Sequence, residues 1–75
     1  MDDHVYKIIE IVGTSTTGVS EAVHNGLRRA NETVRNIRWF ETQQIRGRVE
    51  NGDVQEFQVT MKIGFTLEPG DAGQG

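Results

Sequence analysis

The 75-residue chain has no cysteine, so no disulfide framework can brace it. Its two histidines and scattered carboxylates form no group at metal-ligand spacing. No apolar run approaches the ~20 residues of a membrane helix. The start, Met1-Asp2-Asp3-His4, is acidic and lacks the basic and apolar regions of a secretory leader. A soluble, cytoplasmic protein with no membrane partner is expected. Positive charge is also short: eight basic residues stand against eleven acidic ones, a net charge of −3. That balance disfavours general nucleic-acid binding. Catalytic equipment is missing too. His4 sits in an acidic stretch, His24 on a polar helix face, and Ser15 and Ser20 at a helix start. None forms a triad, and no carboxylate pair stands out. The expectation is a binding protein, not an enzyme.

What remains is enough for one domain, over residues 1–68, with a polar tail over 69–75 expected to be disordered. A core this small is marginal without help, and oligomerisation is the natural source of it. Val5 to Val12 is β-branched and apolar and predicts a strand ended by Gly13. Tyr6, Ile8, Glu10 and Val12 share one face, and both faces are expected to be partly covered. Gly13 to Gly18 is followed by Val19 and lacks the Lys-Ser/Thr ending of a phosphate loop. Ser15 or Thr17 is instead expected to cap a helix. Val19, Ala22, Val23, Gly26, Leu27, Ala30, Val34 and Ile37 form a stripe of helical period. It predicts a helix of about 18 to 20 residues, roughly 27 to 30 Å, with Asn36 at its end. Small residues at 22, 26 and 30 would let it lie close to a sheet.

A second strand is predicted over Arg38–Glu50, then an Asn51-Gly52 hairpin turn. The third strand, from Asp53 or Val54 to Leu67, alternates cleanly. Phe57, Val59, Met61, Ile63, Phe65 and Leu67 make a dry face against the helix. The order is strand, helix, strand, strand. The fold class is α+β: a three-stranded antiparallel sheet wrapped around one helix.

Neighbours in a strand point opposite ways, so Trp39 and Phe40 cannot share a face. A two-residue turn sets Glu50 opposite Asp53, Ile45 opposite Gln58, Phe40 opposite Ile63 and Trp39 opposite Gly64. Phe40 is then expected to pack on the helix. Trp39 points away from it, where Gly64 would leave room for something flat to lie on the indole. The same count sends Thr42, Gln44, Arg46 and Arg48 to the helix side, unless a β-bulge shifts the parity. A strand this long spans roughly 43 Å and must overhang its helix. Phe57 and Val59 would then need another chain to cover them.

The available chemistry is a planar aromatic, an amide and arginines. Trp39 offers a stacking face and Gln58 a donor and an acceptor for a heterocycle edge. Arg38 and Arg46 can meet a phosphate. Simple interface packing explains Trp39 equally well. An interaction module using the open sheet face, even for single-stranded nucleic acid, is the alternative.

The set His4-Val5-Tyr6-Lys7, Glu10-Ile11-Val12-Gly13-Thr14-Ser15, Arg35-Asn36-Ile37-Arg38-Trp39-Phe40-Glu41, Arg46-Gly47, Phe57-Gln58-Val59 and Lys62-Ile63-Gly64-Phe65 resembles the dodecins, small flavin-binding proteins. The resemblance implies a β-α-β-β fold, a hollow homododecamer, and two flavins stacked between tryptophans of symmetry-related subunits. FMN is the implied flavin, with riboflavin and FAD as alternatives, and the implied role is storage and buffering. Trp39 and Gln58 match the stacking and ring-edge residues, and Arg46 lines the ligand site. Arg38, Ile45 and Gly64 complete the implied flavin set. Coenzyme A is implied for some members, at positions matching Lys7, Arg29, Thr33, Val34 and Arg35. Two positions depart from the family pattern. Arg38 stands where an acidic residue is common, and Thr66 where many bacterial members have arginine.

Overall fold

The computed structural model describes residues 3–68. The tail expected over 69–75 lies outside them. Four elements follow in order: β1 (Val5–Ser15), α1 (Val19–Ala30), β2 (Ile37–Glu50) and β3 (Asp53–Leu67). The sheet is antiparallel throughout, in the order β1-β3-β2, as the strand-helix-strand-strand reading predicts.

The alternation of β3 builds the core. Val59, Met61 and Ile63 are fully buried beside Ala22, and Phe65 is nearly so. Ile9, Ile11, Val19, Val23, Leu27, Ala30 and Ile37 pack around them. Each large apolar side chain removed from water contributes about 1.5–3 kcal/mol. Val59 therefore needs no second chain to cover it, contrary to the overhang argument. The helix comes close because its contact residues are small. A Cβ on Gly13 would overlap the Ala22 carbonyl oxygen, and one on Gly26 would lie 2.9 Å from the Met61 Cε. For the same reason β1 does not stop at Gly13. It runs on to Ser15, with the helix backbone lying against the glycine.

Three local expectations are corrected. The helix has 12 residues, not 18 to 20, and ends at Ala30. The amides of Thr33 and Val34 both turn back to the Ala30 carbonyl. The chain then reverses toward β2 through Asn36, at φ 66°, so Val34 belongs to the connection. The helix cap is also different. Gly18 precedes the helix without a side-chain cap, while Ser15 Oγ accepts the Thr17 amide at 3.0 Å and bonds its hydroxyl at 2.9 Å. Both hydroxyls are spent on a local turn of their own. Thirdly, β1 is covered on one face only. Ile9 and Ile11 pack inward, while Tyr6, Ile8 and Val12 are exposed on the other side.

The molecule is 55 Å long and 19 by 16 Å across. The β2–β3 hairpin accounts for the length, since β1 pairs with β3 only from Phe57 to Leu67. Asn51 and Gly52 both have positive φ, 53° and 80°, as a tight hairpin turn of matching twist requires. The helix packs on β1 and β3. Phe40 shares its rung with buried Ile63 but is 45% exposed. The short helix does not reach far enough over β2 to cover it, and the expected packing of Phe40 on the helix is not made.

Candidate ligand site on the outer sheet face

The hairpin register decides which side chains meet. Glu50 faces Asp53, Phe40 faces Ile63 and Trp39 faces Gly64, as counting from the turn predicts. Between these ends the ladder slips by one. Gln55 is an extra residue on β3, and Gln43 an extra residue on β2. The two offset each other, so only the middle of the hairpin is shifted. There Ile45 pairs with Val59, not Gln58, and Arg46 pairs with Gln58. The slip carries Gln44, Arg46 and Arg48 to the outer, solvated face and leaves Ile45 on the inner one. It resolves the conflict that the unshifted count creates, and it separates Ile45 from the other residues named for the flavin site.

Trp39 is 38% exposed. A Cβ on Gly64 would overlap the Cζ2 and Cε2 atoms of its indole. The space opened by the missing side chain is thus filled by the indole itself, not kept for a ligand. Tyr6 meets the same ring edge-on, with centroids 4.8 Å apart and planes at 67°, a favoured aromatic geometry. Backbone below and phenol beside hold the tryptophan in place, and it remains accessible to a planar partner. The sequence pattern sets Tyr6 on one face of its strand with Ile8, Glu10 and Val12 but does not tie that face to Trp39. The nearness of Tyr6 depends on the β1–β3 register, which sets Tyr6 opposite Thr66 and Ile8 opposite Gly64.

At the other end of the same face, Arg46 Nε donates to Gln58 Oε1 at 2.8 Å. Gln58 Nε2 donates to Glu56 Oε1 at 3.0 Å. These bonds orient the amide. A carboxamide has two N–H groups and two lone pairs, so one donor and one acceptor remain for a ligand edge. Arg48 lies beyond, with Nε 4.0 Å from Glu56 Oε1 and an Nη 3.4 Å from Glu50 Oε2. Trp39 and Gln58 share a face but not a place. Their rungs are six residues apart on β3, about 20 Å.

Arg38 is the extra residue of a third register shift, between Ile37 and Trp39. Its Nε donates to Thr66 Oγ1 at 2.9 Å. The remaining candidates lie on β1, on α1 and on the connection after it. Lys7 lies on β1 opposite Phe65. Thr33, Val34 and Arg35 occupy the connection after α1. Arg29 lines a cleft of about 220 Å³ with Val12, Gly13, Thr14, Asn25 and Gly26. That cleft is five to seven residues along β1 from Lys7, roughly 16–23 Å. Asn25 spans it by donating to the Thr14 carbonyl at 3.0 Å, and accepts from Arg28 at 2.6 Å. Among the described residues no three His, Asp or Glu side chains group to hold a metal. No helix there is long and apolar enough to cross a membrane.

The family model described as Dodecin matches residues 5–68. This chain belongs to the dodecin family. It is 45% identical over 64 residues to the dodecin of Thermus thermophilus, covering 85% of this chain and 93% of that one. The solved dodecin of Streptomyces coelicolor superposes with a TM-score of 0.86 at 48% identity, covering 91% of this chain and 97% of that one. The calcium dodecin of Mycobacterium tuberculosis is more distant, with a TM-score of 0.76 and 27% identity over 89% of this chain and 96% of that one. That protein is a calcium chelator with a calcium-binding site of its own. Dodecins are small binding proteins that in general take flavins and form dodecamers.

Proposed function

We propose that this dodecin stores and buffers flavin, FMN foremost, as pairs stacked between Trp39 side chains of two copies in a twelve-subunit shell. The observation that carries the reading is the indole itself. It is held by Gly64 and Tyr6 on an open sheet face. An isoalloxazine ring is flat and electron-poor, and offset stacking on an electron-rich indole suits it. Gln58, already oriented by Arg46 and Glu56, supplies the donor and acceptor that match the N–H and carbonyl groups of the flavin's imide edge. The ~20 Å between Trp39 and Gln58 along β3 is longer than a flavin ring, so the stack and the edge contact come from different copies. Besides Trp39, the apolar side chains left exposed on β2, Phe40, Ile45 and Val49, supply surface for that assembly. The five positions matched to coenzyme A have no oriented ligand group comparable to Trp39 or Gln58 to support them.

Stacking on an indole quenches a flavin by electron transfer, and sequestration of this kind limits its photochemistry. Titrating FMN with the purified assembly is expected to extinguish flavin fluorescence to a fixed stoichiometry. Trp39→Ala is expected to abolish the quenching while the assembly keeps its size. Unchanged FMN fluorescence with the wild-type protein would sink the reading.

A further inference from the structure

The bulge that makes Arg38 an extra residue also changes where its side chain goes. In a regular strand Arg38 and Trp39 would point to opposite faces, and a bulge relaxes that alternation. Trp39 lies on Gly64, and Arg38 bonds Thr66. Gly64 and Thr66 are two residues apart on β3 and share its outer face. Arg38 and Trp39 therefore emerge side by side, from Cα atoms about 3.8 Å apart.

Thr66 is 4% exposed, while Arg38 is exposed. The buried hydroxyl engages Nε only. A guanidinium carries five N–H donors in a planar fork, and the two terminal nitrogens keep four of them. Among the described residues no carboxylate pairs with Arg38. On the next outward rung of β3, Lys62 stands between Glu10 and Glu41, so the acids there face a cation of their own.

A forked pair of donors beside a stacking ring fits a phosphate tethered to a planar ligand. We propose that Arg38, braced by Thr66, is the specificity-determining residue that selects a phosphorylated flavin over the neutral one. This rests on the flavin reading above. Thr66 is a positioning residue: by holding Nε it turns the terminal nitrogens outward.

The test is a fluorescence-quenching titration of the assembled protein with FMN and with riboflavin, at low and high salt. Wild type is expected to prefer FMN. Arg38→Ala is expected to weaken FMN about ten-fold, the worth of one charge-assisted hydrogen bond, and to leave riboflavin within about two-fold. Its FMN affinity should also lose part of its salt dependence, since an exposed ionic contact is screened. Arg38→Lys should keep part of the preference. Thr66→Val, close in shape, should lose part of it with the arginine still present, and this carries the test if Arg38→Ala fails to assemble. Equal effects of Arg38→Ala on both flavins, or no effect on either, would overturn the assignment and leave the flavin stack standing. A wild-type protein that binds neither flavin overturns both.

Discussion

Trp39 and Gly64 share one volume: the indole lies where residue 64 has no side chain. The glycine is the floor of the platform, and its smallness matters more than its backbone freedom.

Gly64→Ala is therefore expected to tilt or expel the indole. Flavin affinity should fall at least about ten-fold. Overpacking of this kind costs about 1–3 kcal/mol of stability, visible as a lower melting temperature. A variant that binds flavin as wild type does, read by the same quenching titration, would show that the ring can find a second productive seat.

The orientation of Gln58 gives a second prediction. Gln58→Leu removes the edge contact and should weaken flavin binding by about 0.5–1.5 kcal/mol for each hydrogen bond lost. Arg46→Ala leaves the amide in place but held by Glu56 alone, and should cost less. If Arg46 acts by orienting Gln58, a double-mutant cycle on flavin affinity should give a coupling of about 0.5 kcal/mol or more. Strict additivity would mean that Arg46 acts independently.

Assembly is open to a direct test at Phe40. The side chain lies on the inner sheet face, beyond the cover of its own helix. Phe40→Asp puts a charge where a neighbouring chain is expected to bury an aromatic worth about 1.5–3 kcal/mol in each copy. Sedimentation should show smaller species, and flavin quenching should be lost with them. An unchanged oligomer would place the interface elsewhere.

Close packing of helix on sheet predicts a stability effect separate from binding. Gly13→Ala puts a methyl group onto the Ala22 carbonyl oxygen, a backbone atom that cannot rotate aside. It should destabilise by at least about 1–3 kcal/mol in chemical denaturation. Full stability would mean that α1 can lift from β1 at little cost.

Much of this fold is legible in the chain. The alternation of β3, the Asn51-Gly52 turn and the small-residue stripe of α1 suffice for the order of elements and for the inner face. Counting from the turn also pairs Trp39 with Gly64 correctly, because the slips at Gln55 and Gln43 offset each other. The middle of the hairpin is where counting fails. Two glutamines carry no mark of being extra, and the slip is explained only by the gain of solvent for Arg46 and Arg48 and of the inner face for Ile45. Helix length is overread because Val34 and Ile37 continue the apolar period after the backbone has already turned at Asn31 to Thr33. Tyr6 goes unmarked for a different reason. Its contact with Trp39 bridges strands separated by the whole helix, and no local pattern encodes that register.

The ~20 Å between Trp39 and Gln58 has a thermodynamic consequence. On the proposed arrangement no single chain owns a complete site, so flavin binds the assembled state and not the free subunit. Ligand and subunit association are then linked by mass action. Each bound flavin raises the dilution that the shell withstands, and each lost subunit contact lowers the apparent flavin affinity. Occupancy would follow the concentration of protein as well as that of flavin, and a loaded shell would outlast an empty one.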